Sequence, residues 1–205
     1  MRKFITFSVL LLLAIQMEAQ KSKRQKQFSI AIMNVQTAMP FDKFSALLYK
    51  DLHPGVEAGI GFNWKVKRKH DWYQEFKAGY FFHRFVQHGI PVYTNFGYRY
   101  KFSSKLSLAT SIGAGYLHSI PATAKFKLAS NGTYEKNIGV GRVQAMAIYS
   151  LAAGYIFRSS TQKPFKLFAS YQQRIQMPFV NSYVPILPYN SFMIGISKSL
   201  IRKNK

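Results

Sequence analysis

The stretch GIPVYTNFGYRYKF, residues 89–102, sorts its side chains by parity. Ile90, Val92, Thr94, Phe96, Tyr98, Tyr100 and Phe102 form one set, mostly apolar and aromatic. Pro91, Tyr93, Asn95, Gly97, Arg99 and Lys101 form the other, which is polar, small or basic. Successive side chains of a strand point to opposite faces, so a period of two predicts a β-strand with one greasy side and one wet side. What the greasy side touches depends on the rest of the chain.

Most of the chain repeats this sorting. Over residues 54–66, Val56, Ala58, Ile60, Phe62, Trp64 and Val66 oppose Gly55, Glu57, Gly59, Gly61, Asn63 and Lys65. Similar alternation over 28–36, 72–87, 105–118, 142–157, 165–176 and 191–200 brings the expected total to eight strands. The connections also alternate. Loops at 37–53, 119–141 and 177–190, with a shorter one at 87–89, take turns with tight polar turns at 67–70, 103–104 and 158–164. Asn131-Gly132, set between short alternating runs, predicts a small hairpin inside the longest loop. An up-and-down meander collects the loops at one end and the turns at the other, a habit of outer-membrane barrels, whose short turns face the periplasm. An even strand number puts both termini on that side.

The composition narrows the chemistry. The 205 residues suffice for one domain, and the absence of cysteine excludes disulfides, thiol catalysis and cysteine-based metal sites. No metal or cofactor is expected. Residues 1–19 read as a secretory signal peptide: Arg2 and Lys3, then an apolar core over 4–15, then Ala19 at the expected cut. Residues 20–27 form a basic periplasmic lead-in, 28–201 the barrel and 202–205 a basic tail. No later segment is apolar for long enough to span a bilayer as a helix.

The faces choose between membrane and water. The polar set is rich in glycine and mixed with long charged side chains, which suits the narrow interior of an eight-stranded barrel. The apolar set is bulky, with aromatics near strand ends that suit the girdles at the lipid boundary. The expected fold is therefore an all-β, eight-stranded antiparallel up-and-down transmembrane β-barrel. The expected lumen network is Glu57, Glu75, Lys65, Lys77, His83, Arg99, Lys101 and Arg174, joined by Asn95, Gln144, Lys166 and Gln172. Enclosed charges must pair, which favours a plug over a selective pore.

The alternation, the loop rhythm and the strand end FGYRYKF at 96–102 resemble the small eight-stranded outer-membrane barrels of Gram-negative bacteria, the group that includes the OmpX and OmpA membrane domains. The resemblance implies fold and location more than activity. Such barrels usually end on an aromatic residue, whereas this chain ends SLIRKNK, so the equivalent assembly signal falls within 189–200. Some members modify lipid A, and the deacylase type pairs a histidine with a nearby serine on one strand face. His83, His88 and His118 are the candidates of that kind, and weak ones: Ser119 directly follows His118, which puts the two on opposite faces.

The formal net charge is +22, with 29 basic against 7 acidic residues, concentrated at the turn end. An exported chain does not meet nucleic acid, so outer-membrane lipid headgroups are the expected partners. Phe41, Phe44, Leu47 and Leu48 in one loop, and Phe179, Tyr183, Ile186 and Leu187 in another, form a candidate contact patch for a surface partner. A structural or surface-interaction role is the expectation, ahead of a lipid A hydrolase or a small transporter of an amphipathic ligand.

Overall fold

The computed structural model describes residues 26–39, 52–123, 125–128, 132–137, 139–157, 164–179 and 183–200. The signal peptide, the basic tail and Phe41, Phe44, Leu47 and Leu48 of the candidate patch lie outside the described residues.

Eight long strands close into one antiparallel barrel: β1 (Lys26–Thr37), β2 (Pro54–Val66), β3 (His70–His83), β4 (Gln87–Lys101), β5 (Leu106–Pro121), β8 (Arg142–Phe157), β9 (Phe165–Met177) and β10 (Leu187–Leu200). The short pair β6 (Lys125–Leu128) and β7 (Tyr134–Asn137) forms the hairpin expected around Asn131-Gly132, and Gly132 takes the positive φ of 81° that its turn needs. Every barrel strand pairs with its chain neighbour across a loop or turn. The first and last strands then pair with each other, from Lys26↔Leu200 to Thr37↔Tyr189, so the wall has no free edge.

The sorting in β4 holds in three dimensions. Tyr93, Asn95, Gly97 and Arg99 are buried in the lumen, while Ile90, Val92 and Phe96 are exposed on the outer wall. The same outer wall carries Ile32, Val56, Phe76, Leu151 and Ile194, and Ile112 is 66 % exposed on it. Meanwhile Gln172, Gln176 and Arg174 are fully enclosed. A water-soluble barrel does the reverse, with apolar side chains inside and polar ones outside. An exterior of isoleucine, valine and phenylalanine over a polar interior belongs in hydrocarbon, and closing the sheet leaves no backbone group unpaired there. The strands run 12 to 16 residues. About ten tilted residues suffice to cross, so the longer strands continue beyond the hydrocarbon.

Several boundaries and one register differ from the alternation. β3 stops at His83, and residues 84–86 make the turn into β4. β10 starts at Leu187, four residues into the expected loop, and this buries Tyr189 inside the barrel. The β2–β3 register slips between Asn63 and Lys65. Asn63 stays inside, but Lys65 is carried to an exposed position and leaves the expected lumen network. One extra residue in a strand reverses the facing of every later side chain, and strict parity misses this.

The interior is layered along its axis. Toward the loops it is apolar, with Met33, Val35, Phe81, Leu117, Met146, Ile148 and Met193 in contact with Tyr189 and Tyr93. A wholly polar filling is thus corrected: these residues hold inward positions of their strands, and an enclosed lumen accepts apolar fill as readily as paired polar groups.

Placing a lysine at Ile112 separates the two solvents. In a bilayer, Ile112→Lys is expected to lower stability by about 2–4 kcal/mol, whereas at a water-exposed site it would shift stability by no more than about 0.5 kcal/mol. Urea titration of the barrel refolded into lipid vesicles, followed by tryptophan fluorescence, reads the difference.

Candidate functional site

Below the apolar layer, charged side chains from opposite parts of the wall meet. Glu57 on β2 receives Arg174 of β9 at 2.8 Å, Nη2 to Oε2. Those strands stand three places apart around the ring, so the contact spans the lumen. Lys77, two strand positions from Glu75 on β3, lies 3.3 Å from Glu57 Oε1 and 3.4 Å from Glu75 Oε2. The Tyr93 hydroxyl donates to Glu57, and Gln172 Oε1 accepts from Arg174 Nε at 2.9 Å and Nη2 at 2.7 Å. The Arg174 guanidinium also faces the rings of Tyr93 and Tyr189, 5.3 Å and 6.0 Å from their centroids. Removing ions from water costs several kcal/mol each, and close, multiply hydrogen-bonded pairing offsets that cost.

Parity placed Glu57, Glu75, Lys77 and Arg174 inside, and the structure brings these four together. Arg99 lies elsewhere. It stacks over Tyr73, 4.5 Å from the ring centroid, and reaches Asp71 at 3.9 Å. Lys101 pairs with the same carboxylate at 2.6 Å and donates to the Lys67 carbonyl at 3.1 Å, near the turn end. Asp71 was not expected in the lumen because it borders a basic turn, where a lone carboxylate reads as solvated. Gly97 makes room for the Tyr73 ring, which a β-carbon there would meet.

Toward the loops, a second polar layer links four strands. Gln87 Nε2 donates to Gln176 Oε1 at 2.6 Å, and Gln176 Nε2 donates to Gln144 Oε1 at 3.2 Å. Gln144 Nε2 donates to the Pro178 carbonyl at 2.7 Å, and the Ser119 hydroxyl donates to Gln87. Of these, only Gln144 was expected inside from the alternation. The inward parity of Gln176 carries the same signal.

The three candidate histidines do not converge. His83 is buried, with its ring stacked on that of His53 at 3.8 Å and nearly parallel. His88 points outward and meets the Tyr80 hydroxyl at 2.7 Å. His118 also points outward, 2.9 Å from the Tyr116 hydroxyl and 2.8 Å from the Val140 carbonyl. Ser119 faces the lumen, away from His118, and among the described residues neither outward histidine is hydrogen-bonded to a serine. Among the described residues, no cluster of histidine and acidic side chains could hold a metal ion.

In the described part of the loop patch, Tyr183 and Ile186 are exposed. Phe179 is half-buried under the Arg142 guanidinium at 5.9 Å, and Leu187 belongs to β10. Phe126 and Tyr134 of the β6–β7 hairpin, and Val140 after it, are further exposed apolar side chains at this end.

No protein-family model matches the chain, and no curated protein matches it. Solved structures similar to it include Neisserial surface protein A, at 8 % identity and TM-score 0.48, with 87 % of this chain and 98 % of that one covered. Ail, the attachment invasion locus protein of Yersinia pestis, solved with the heparin analogue sucrose octasulfate, is similar at 14 % identity and TM-score 0.44, over 86 % and 97 % of the two chains. A de novo designed transmembrane β-barrel is similar at 14 % identity and TM-score 0.41, over 86 % and 95 %. The membrane-spanning assignment rests on the barrel's own inside-out sorting.

Breaking the cross-lumen pair from one side strands the other charge. Glu57→Gln is expected to destabilise the refolded barrel by about 3–5 kcal/mol, because Arg174 then loses its only carboxylate partner among the described residues. The double change Glu57→Leu with Arg174→Met should cost clearly less than the two single changes together. A double-mutant cycle on urea midpoints measures that coupling.

Proposed function

We propose that the chain is an integral outer-membrane barrel with a sealed lumen, which anchors and displays apolar loops at the membrane surface. The observation that supports this reading is the packing of the interior: apolar side chains interleaved with a glutamine cluster toward the loops, and a cross-lumen ion network beneath them. An eight-stranded wall leaves room for side chains and little else. The leader expected at residues 1–19 supports export, and a closed strand barrel is the form in which exported chains occupy the outer membrane. In that orientation both termini and the basic turns face the periplasm, beside anionic headgroups.

The exposed Phe126, Tyr134, Tyr183 and Ile186 support a contact role for the loop end. Apolar side chains clustered on a water-facing end favour a partner surface. A lipid A hydrolase gains no support from the histidines, whose outward members have no nucleophile partner among the described residues. A transporter gains none from a lumen occupied by packed apolar side chains and the Glu57–Arg174 network.

The test has three parts. Fractionation with heat-modifiable gel mobility is expected to find a folded barrel in the outer membrane. In planar bilayers the purified protein should give no conductance steps, whereas steady single-channel openings would refute the sealed lumen. Lipid A from deletion and overexpressing strains should show unchanged acyl chains by mass spectrometry.

A further inference from the structure

The turn end of the barrel opens into a cavity of about 700 Å³. Its lining includes Arg68, Lys69, Arg99, Lys101, Lys105 and Lys166. Asp71 is the one carboxylate in that lining, and it is already held by Lys101 and Arg99. Lys166 makes no ion pair among the described residues. Arg99, only 8 % exposed, keeps its Nε buried without a hydrogen-bond partner among the described residues. The Lys166 stem lies over Gly154, where a β-carbon would meet its Cε.

The cavity narrows inward past Arg99 and Lys166 to a small space bounded by Tyr73, Glu75, Lys77 and Phe168. Beyond it lies the Glu57–Arg174 network. A cup closed at its inner end retains a ligand, where an open lumen would pass it. Cations gathered on low-dielectric walls focus a positive potential and repel one another, and both effects favour a multiply charged anion between them. The hydrogen-bonding capacity of two guanidinium and four ammonium groups fits phosphate oxygens.

We propose that this turn-end cup binds a phosphate-bearing anion, with Lys166 and Arg99 at its depth and Lys105 at its rim. The proposal does not depend on what the loops contact. Phosphate chemistry can arrive as a soluble polyphosphate or as a lipid headgroup, and the test separates them. Tripolyphosphate is titrated calorimetrically into the full chain, refolded in phosphatidylcholine nanodiscs at low ionic strength. Lys166→Gln and Lys105→Gln are each expected to weaken binding about tenfold, the loss of one charge-assisted contact. Lys198→Gln, whose side chain is exposed on the outer wall, should leave it unchanged. Lys105 lies in an exposed turn, so that variant keeps the test sound if Lys166→Gln fails to refold. Repeating the titration in phosphatidylglycerol nanodiscs assigns the source: weakened binding by competition identifies the headgroup, and unchanged binding identifies the soluble anion. Wild-type protein that takes up no tripolyphosphate overturns the proposal, as does a Lys198→Gln effect equal to that of Lys166→Gln.

Discussion

An eight-stranded sheet that turns its polar residues inward must balance, within a narrow bore, every charge it encloses. The contact between Glu57 and Arg174 meets this constraint, joining strands three places apart in the wall. Because the partners come from distant parts of the chain, the pair forms only when the ring has closed. It fixes β9 against β2 in a way that neighbour-to-neighbour backbone pairing does not. The short reach between opposite walls that excludes solutes also lets a carboxylate and a guanidinium touch without water between them.

Along the axis, the interior changes character in three steps, and each step has its origin in local sequence. Met33, Val35, Leu117 and Met193 hold inward positions near the loops, where the chain offers few ions and fills space with dispersion contacts instead. Glu57, Glu75, Lys77 and Arg174 occupy the middle, and their formal charges cancel. At the turn end the cations outnumber their partners. The positive excess of the composition is therefore not spread evenly over a solvated rim, and part of it is aimed inward.

Much of this was legible from parity alone. Alternation in residues 89–102 separates Phe96 from Asn95 and Arg99, and the barrel places them on opposite faces of its wall. Asn131-Gly132 reported the hairpin, whose strands pair up to Leu128↔Tyr134 with Gly132 at positive φ in the connection. What parity missed has identifiable physical causes. A bulge at Asn63/Lys65 leaves no compositional mark, so Lys65 was placed inside and is found outside. Tyr189 lies after a proline-rich loop and looked exposed, yet β10 begins early enough to bury it. Partner choice was beyond reach, because Arg99 could equally have met Glu57, Glu75 or Asp71, and only the stagger of β3 against β4 selects Asp71.

The seam between β1 and β10 has a temporal consequence. These are the earliest and latest parts of the wall to leave a ribosome, and they are hydrogen-bonded neighbours in the finished ring. Until the C-terminal strand arrives, two ragged margins of unpaired amides and carbonyls remain, which hydrocarbon cannot tolerate. Insertion must therefore wait for the whole polypeptide, or be sheltered by something that caps those margins meanwhile. A chain cut short by one strand would not make a smaller cylinder of the same kind, since it would lose both the zipper that completes the circle and the ceiling residue, Tyr189, that lies against Arg174.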